Sequence, residues 1–236
     1  MLLSIIIPTL NEEKYLPLLL ESVKKQSFSD YEVIVADAGS KDKTLEIAKK
    51  YGCKVVPGGL PAKGRNEGAK IAKGDLFLFL DADMILPSNF FENLFEELKE
   101  RDLDIASFPI TLQGNKFGKF AYRLYNYWAR ATQRFLPHAA QAILVKKEVH
   151  QVIKGFDEEI KLAEDHAYAR KAKKIAKYGF LETGPVFTSA RRFEQDGRIR
   201  TCLKFIFAEV YMIFLGPIKS DIFKYKFNHY KKTKNR

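Results

Sequence analysis

Runs of bulky apolar residues alternate with amphipathic stretches through the first half of the chain. Consecutive apolar positions are typical of strands buried on both faces, and four runs have this pattern, at about 3–8, 31–36, 53–56 and 76–80. Apolar residues at helical spacing predict three helices, at about 12–26, 41–51 and 65–73. Because strands and helices alternate, the pattern predicts an α/β fold with a mostly parallel, Rossmann-like central sheet flanked by helices.

The second half of the chain has a less regular pattern. Helical spacing predicts further helices at about 88–100, 116–136, 164–178 and 200–216. Short apolar runs predict further strands at about 103–108, 141–146 and 186–190. Ser40 and Ser88 stand where helix N-caps are expected, and Gly179 stands where a helix C-cap is expected.

The last predicted helix is apolar on nearly every face, which divides the chain into a main domain, 1–199, and an appended segment, 200–236. Its apolar run is interrupted by Glu209 and is shorter than the ~20 residues that a membrane span requires. From Lys219 to Arg236 there are seven Lys or Arg residues and one Asp. Two environments stay open for this segment: an anionic membrane surface, or protein, as core or as a homodimer contact.

Length, charge and cysteine content limit the number of domains, the partners and the cellular location that we expect. A length of 236 residues suits one domain with a full core, with or without a small appendage. The net charge is +11. In the basic tail, 219–236, aromatic residues alternate with lysines, a pattern that favours contact with a partner surface over a solvated arm. Nucleic acid is not the partner that we expect for this tail. Cys53 and Cys202 indicate reduced thiols, and no targeting segment is recognised. We therefore expect a cytoplasmic protein, in one hypothesis peripheral at the inner face of the membrane.

The run Leu76–Leu80 ends on two carboxylates, Asp81 and Asp83, with Ala82 between them. In open α/β sheets ligands bind beyond the carboxyl ends of the strands, so this pair stands where chemistry is usually done. Carboxylate oxygens are the ligands that Mg²⁺ and Mn²⁺ prefer, and such an ion can also bind a diphosphate. A solvated turn is the alternative interpretation of the pair.

Other strand ends carry polar residues as well. The first predicted strand ends in Pro8-Thr9-Leu10-Asn11-Glu12, and the second ends in Asp37. A carboxylate at such a position can accept an N–H from a nucleobase. Lys63 and Arg65 are expected at a glycine-flanked helix start, where backbone amides and cations favour a diphosphate.

Two acids, Glu164 and Asp165, begin a predicted helix in the second half. Acids at a helix start commonly act as caps and dipole partners. The functional interpretation makes one of them a general base, because an acceptor hydroxyl that attacks an anomeric carbon needs a carboxylate to take its proton.

Five motifs in this order and spacing resemble the family 2 glycosyltransferases with the GT-A fold. They are Ile6–Glu12, Ala36–Thr44, Gly64–Gly68, Asp81–Asp83 and Glu164–Asp165. The resemblance covers about residues 3–195. It implies an inverting hexosyltransferase that uses a nucleotide-diphosphate sugar, UDP- or GDP-linked, and Mn²⁺ or Mg²⁺ as cofactor.

The resemblance also implies roles for individual residues. Asp165 would be the catalytic base with Glu164 beside it, and Asp83 would be the main metal ligand with Asp81 near the metal or ribose. The nucleotide sugar would be bound by Pro8, Thr9, Asn11, Glu12, Asp37, Lys63, Arg65, Asp81, Ala82, Arg191 and Arg192. His138, Gln141 and His166 are assigned to the acceptor side, and the histidines match no metal-ligand spacing.

The sequence departs from the processive members of the family at one motif. They carry Gln-x-x-Arg-Trp after the base, where this chain has Ser189-Ala190-Arg191-Arg192-Phe193. This departure predicts that transfer is non-processive. Several hypotheses therefore stay open: transfer to a lipid-phosphate or lipid-linked acceptor at the cytosolic membrane face, transfer to a soluble small molecule, or non-catalytic binding of a nucleotide sugar. Nucleotidyl transfer is disfavoured because its glycine-rich N-terminal loop is missing.

Overall fold

The computed structural model describes residues 1–112 and 116–223. Ten strands are described there: β1 (Leu3–Thr9), β2 (Tyr31–Asp37), β3 (Lys54–Pro57), β4 (Leu76–Leu80), β5 (Met84–Ile85), β6 (Ile105–Ser107), β7 (Ile110–Leu112), β8 (Ala142–Lys146), β9 (Tyr178–Phe180) and β10 (Val186–Thr188). The helices described are α1 (Leu16–Lys24), α2 (Thr44–Lys50), α3 (Pro61–Ile71), α4 (Phe90–Glu100), α5 (Lys116–Thr132), α6 (Lys147–Val152), α7 (Glu164–Ala172), α8 (Arg191–Gln195) and α9 (Arg198–Leu215).

Seven strands form the central sheet, in the order β3-β2-β1-β4-β8-β6-β9. The first four are mutually parallel, and β8 alone runs antiparallel to its neighbours β4 and β6. The strands β1 and β4 are buried on both faces, and apolar clusters cover the two sides of the sheet. This arrangement confirms the predicted α/β fold with a mostly parallel central sheet flanked by helices.

A second, three-stranded sheet in the order β5-β10-β7 lies beside the end of β4. Its strand β5 follows Asp83 directly, and Thr188 at the end of β10 pairs with Met84. This register brings Asp83 next to Ser189, which follows β10. The small sheet therefore joins two segments that are about a hundred residues apart in the chain.

Several predicted helix starts are wrong, and the physical reason is local hydrogen bonding. The helix α1 begins at Leu16 rather than at 12, because the Glu12 and Glu13 amides donate to the side chains of Thr44 and Asp42. Ser40 is not an N-cap, since its hydroxyl donates to Asp37 instead. The helix α3 begins at Pro61, a residue well suited to a first turn, so Lys63 lies in the first turn and Arg65 lies in the second.

Two other predicted caps are also wrong. The residue before α4 is Asn89, in the left-handed conformation, and Ser88 makes no capping hydrogen bond. Gly179 lies in β9, and α7 ends at Ala172. A Cβ on Gly179 would lie 2.5 Å from Cδ1 of Leu103, so close packing of the strand explains this glycine.

The helices α5 and α9 leave large apolar side chains exposed. On α9 only Thr201, Ala208 and Met212 are buried, whereas Phe214 is 79% exposed and Phe207 is 60% exposed. Within the described residues, no helix has the length and hydropathy that crossing a membrane would require. Most of the basic tail, 224–236, lies outside the described residues; Lys219 is described and forms ion pairs with Asp157 and Glu159.

Candidate active site

The predicted nucleoside-binding residues form one connected loop pair at the ends of β1 and β2. Both oxygens of the buried Asp37 carboxylate accept hydrogen bonds, from the Thr9 and Ser40 hydroxyls and from the Gly39 and Ser40 amides. Because a carboxylate offers about four acceptor positions, a nucleobase N–H would have to share or replace one of these bonds. The role of Asp37 in base binding therefore stays a prediction.

The loop after β1 is locked to the loop after β2. Asn11 has a positive φ of 55°, a conformation that asparagine tolerates, and its side-chain carbonyl accepts the Lys41 amide at 2.7 Å. In return, the Asn11 amide donates to Ser40 Oγ at 2.8 Å. Pro8, at the end of the same strand, packs against α3, where a Cβ on Gly64 would lie 3.0 Å from the Pro8 ring.

Arg65 is the centre of the site. Its side chain is only 3% exposed, its Nη2 lies 2.7 Å from Asp81 Oδ1, and its Nη1 lies 2.6 Å from Glu164 Oε1. Its guanidinium carbon lies 5.3 Å from the centre of the Phe156 ring. Arg65 therefore connects the carboxylates after β4 to the start of α7, and so brings the predicted metal ligands and the predicted base into one site.

The environment of Asp81 raises the pKa of its carboxyl well above the ordinary value. Burial raises the pKa of Asp81 to about 7; the Arg65 guanidinium opposes this shift, and the carboxylates of Asp83, Asp165 and Glu164 add to it. Such a concentration of negative charge disfavours a further anion and favours a cation.

A second arginine, Arg191, binds the other carboxylates of the site. Its Nη1 and Nη2 donate to the two oxygens of Glu12 at 2.9 and 2.8 Å, and its Nε lies 3.2 Å from Asp83 Oδ2. The guanidinium also stacks over the Tyr15 ring, 4.9 Å from its centre. Asp83 Oδ2 accepts a further hydrogen bond from Ser189 Oγ at 2.6 Å.

The Asp81–Asp83 pair fits a divalent cation. Arg65 occupies only Oδ1 of Asp81, and Ser189 and Arg191 occupy only Oδ2 of Asp83. Across residues 1–112 and 116–223, the other oxygen of each carboxylate accepts no hydrogen bond. Two such hard oxygen donors suit Mg²⁺ or Mn²⁺.

Asp165, the predicted base, is held by Gln141 and His166. The Gln141 amide donates to Asp165 Oδ2 at 3.1 Å, and the Gln141 carbonyl accepts the Asp81 amide at 3.0 Å. His166 Nδ1 lies 2.9 Å from Asp165 Oδ1. Burial raises the pKa of Asp165, but His166, Arg65 and the Gln141 amide outweigh it and the pKa is lowered, so this carboxylate is ionised at neutral pH.

His138 and His166 face each other with ring centres 5.3 Å apart. Burial, and then the charges of His166 and Arg170, lower the pKa of His138 to about 3, so its imidazole is neutral. Burial also acts against protonation of His166, but Asp165 and Glu209 raise its pKa above the ordinary value. Both histidines and Gln141 thus lie beside Asp165, and their acceptor-side role stays a prediction.

The remaining three residues predicted to bind the donor are Ala82, Lys63 and Arg192. Ala82 is 4% exposed and serves as a spacer between the two aspartates. Lys63 is exposed on α3. Arg192 lies near enough to Asp83 and Asp81 for their charges to raise its pKa, although its burial lowers the pKa further than they raise it.

Sequence reasoning missed Ser189, Tyr15 and Phe156. Ser189 falls inside the strand predicted at about 186–190, whereas β10 ends at Thr188 and leaves Ser189 just beyond the strand end. Tyr15 and Phe156 contact arginines only through tertiary packing, and no local pattern identifies such contacts.

Comparison with known sequences confirms the resemblance. A family model described as "Glycosyl transferase family 2" matches residues 4–154. Over 90 residues, 34% of this chain, the sequence is 42% identical to "Poly(ribitol-phosphate) beta-N-acetylglucosaminyltransferase TarS" of Staphylococcus aureus. Over 181 residues, 69% of this chain, it is 31% identical to "Minor teichoic acid biosynthesis protein GgaB" of Bacillus subtilis. The matched stretches span 16% of TarS and 20% of GgaB.

Solved structures share the fold. The S. aureus TarS 1–349 structure in complex with UDP-GlcNAc superposes with a TM-score of 0.67 at 23% identity, over 89% of this chain and 67% of that one. The mannosyltransferase PcManGT from Pyrobaculum calidifontis, in complex with GDP-Man and Mn²⁺, superposes with a TM-score of 0.69 at 19% identity, over 88% of this chain and 63% of that one. Both neighbours are GT-A fold transferases.

Proposed function

The chain belongs to glycosyl transferase family 2, and from that premise we propose that it is an inverting glycosyltransferase that uses a nucleoside-diphosphate sugar. The observation that carries the proposal is the double ion pair of Arg65. It brings Asp81 and Asp83, suited to a cation, together with Glu164 and Asp165, suited to a base. A site that only bound a nucleotide sugar would need no base.

The proposed reaction is a single displacement at the anomeric carbon. The acceptor oxygen forms the new bond from one face of the sugar while the bond to the diphosphate breaks on the other face, which inverts the configuration. Asp165 takes the acceptor proton, and His166 holds the Asp165 carboxylate in place. Asp83 and Asp81 would hold Mn²⁺ or Mg²⁺, which supplies positive charge for the leaving diphosphate.

The donor side is supported by the rigid loop pair that contains Thr9, Asn11 and Asp37. TarS is seen with UDP-GlcNAc and PcManGT with GDP-Man. These two neighbours bind different nucleotides, so the titration described below decides whether the donor carries uridine or guanosine. Arg191 and Arg192 are proposed to reach the diphosphate once the donor binds, because both lie close to Asp83.

For the acceptor, we propose a phosphate-bearing molecule at an anionic membrane surface, without processive transfer. The exposed apolar face of α9 and the basic residues Arg198 and Arg200 at its start suit shallow insertion beside anionic head groups. The relative TarS is named for transfer to poly(ribitol-phosphate), which is also a phosphate-bearing acceptor. A lipid phosphate and a soluble polyol phosphate share this chemistry, so both belong in the assay.

The first experiment is a thermal-shift titration with UDP- and GDP-sugars, with and without Mn²⁺. Since a ligand that binds the native state raises the midpoint, a shift that needs both Mn²⁺ and one nucleotide identifies the donor. Product formation is then measured with a lipid phosphate and with a polyol phosphate. The absence of any metal-dependent shift would argue for loss of donor binding and against the proposal.

Three Asp→Asn variants test the residue roles. Asp83→Asn should remove the metal-dependent shift, and Asp165→Asn should keep the shift but lower kcat by roughly 10²–10⁴-fold. Asp102→Asn is the matched control, because its side chain is 87% exposed and asparagine tolerates its positive φ. Full turnover in Asp165→Asn would refute the base assignment, and donor binding with no turnover in the parent protein would favour a non-catalytic binder.

Membrane contact is tested by co-sedimentation with anionic liposomes. Phe207→Glu and Phe214→Glu place charges on the exposed face of α9 and should abolish sedimentation. Val152→Glu is the control, since Val152 is 68% exposed on α6, outside this face. Unchanged sedimentation, or a dimer in solution that either α9 variant dissociates, would favour the soluble acceptor and the homodimer contact.

A further inference from the structure

Three potential metal ligands from separate segments meet beside Asp165. His138 precedes β8, His166 lies in α7 and Glu209 lies in α9. One ligand atom from each lies within 4.8 Å of the other two. None of the three belongs to the Asp81–Asp83 pair.

His138 is the most informative member of this cluster. Its side chain is 1% exposed, and neither ring nitrogen has a hydrogen-bond partner among residues 1–112 and 116–223. The Ser107 hydroxyl donates to the backbone carbonyl of His138 at 2.6 Å, which fixes the segment but not the ring. A buried polar group without a partner is costly, so the unused ring nitrogens indicate a ligand. Its Nε2 points to Glu209, 3.8 Å from Oε1.

The other two side chains are already oriented for metal binding. His166 Nδ1 is engaged by Asp165 at 2.9 Å, which leaves Nε2 for a metal. Metal-bound histidines usually hydrogen-bond to a carboxylate through the second nitrogen, and this bond fixes the tautomer. Arg170 donates to Oε1 of Glu209 and so holds the carboxylate, while Oε2 accepts no hydrogen bond in the described parts of the chain.

We propose that His138, His166 and Glu209 form a second divalent-metal site of the Zn²⁺ type, with Asp165 as its outer-shell partner. Two imidazoles and one carboxylate suit Zn²⁺ and Co²⁺, whereas Mg²⁺ prefers oxygen ligands alone. Three protein ligands leave a fourth position for water or for an acceptor oxygen. The site would also connect α9 to the segment that contains the predicted base. Its ligands lie in three distant segments, which is why spacing in the sequence did not indicate it.

The test uses Co²⁺ as a visible probe of the full chain, in an Asp83→Asn background that removes the other cation site. After treatment with a chelator, we expect one equivalent of Co²⁺ to bind with the absorption of a tetrahedral complex and to be displaced by Zn²⁺. His138→Ala and Glu209→Gln should each weaken Co²⁺ binding by more than roughly 100-fold, because loss of an outer-shell partner alone costs about 10–100-fold.

His150→Gln is the matched control, since His150 is also buried but its Nδ1 bonds to the Tyr168 hydroxyl. This variant should bind Co²⁺ as the parent does. Circular dichroism of the metal-free variants checks folding, and glutamine at 209 can still accept from Arg170. The proposal is overturned if the Asp83→Asn protein binds no Co²⁺, or if folded Glu209→Gln binds it with unchanged affinity.

Discussion

Arg65 and Arg191 each bind two carboxylates of the candidate site, but their surroundings differ. Arg65 lies inside α3, where its side chain is 3% exposed between Asp81 and Glu164. Arg191 lies at the start of α8, a helix of five residues, and its side chain is 18% exposed. The first arginine is enclosed by the sheet and the Phe156 ring, and the second is covered by one tyrosine ring at the edge of the site.

This difference separates a fixed part of the site from an exchangeable part. Removing Arg65 would leave Glu164, whose side chain is 10% exposed, and Asp81 without their buried cation, and unpaired charge beside the core is costly. Arg191 can leave Asp83 for a diphosphate at lower cost, because solvent replaces part of its interactions. We therefore interpret Arg65 as scaffold and Arg191 as the cation that exchanges with metal and donor.

The largest expected effect comes from Arg65→Met. Loss of its two ion pairs should lower the free energy of unfolding by about 3–5 kcal/mol, measured by urea denaturation. Arg191→Met is the comparison and should cost less than about 2 kcal/mol, since the Arg191 side chain is 18% exposed and that of Arg65 is 3% exposed. Equal losses of unfolding free energy in the two variants would contradict the distinction between Arg65 as scaffold and Arg191 as the exchangeable cation.

A fall in pH should lower the free energy of unfolding through the residues that pack around Arg65. His150 packs against Phe156, which lies under Arg65, and burial, together with the charge of Lys171, lowers the pKa of His150 to about 4. Because this folded-state pKa is below the unfolded value of about 6.5, the stabilisation is complete above pH 6.5 and is lost as the pH falls toward 4. The share of this loss due to His150 should be about 2 kcal/mol at pH 5, and the curve of His150→Gln should be flatter by that amount, while the buried His138 contributes its own loss in both proteins.

At the exchangeable centre, Arg191→Met should strengthen metal binding and weaken turnover. Without the guanidinium, Asp83 no longer has a competing cation, so the Mn²⁺ dissociation constant should fall by roughly tenfold, about 1.4 kcal/mol, in calorimetric titration. The KM for the donor should rise because the diphosphate loses a partner. Weaker Mn²⁺ binding in this variant would show that Arg191 organises the metal site and does not compete for it.

The smallest expected effect is that of Ser189→Ala. This change removes one hydrogen bond to Asp83 Oδ2, and we expect a stability loss of about 1 kcal/mol or less. Mn²⁺ affinity should change by no more than a few fold, since the carboxylate keeps its charge. A loss as large as that of Arg65→Met would mean that the Asp83 side of the site is also scaffold.

The sequence predicted the parts of the site that depend on local patterns. The buried runs before Asp37 and Asp81 identified strand ends, and β2 and β4 end within one residue of those aspartates. Glu164 at the start of α7 was also predicted from the helix pattern. The predicted caps at Ser40 and Gly179 were wrong because Ser40 bonds to Asp37 and Asn11 and Gly179 packs against Leu103, and Ser88 was wrong because Asn89 takes the N-cap position.

By itself, the sequence determined the fold class, the family and the presence of carboxylates at strand ends, because strand and helix periods are local properties of the chain. Only the tertiary structure decided which charges meet. Arg65 and Glu164 are 99 residues apart, and Arg191 and Glu12 are 179 residues apart. Such pairs depend on how the sheet orders its strands and how the helices pack on it, and side-chain spacing carries no record of that geometry.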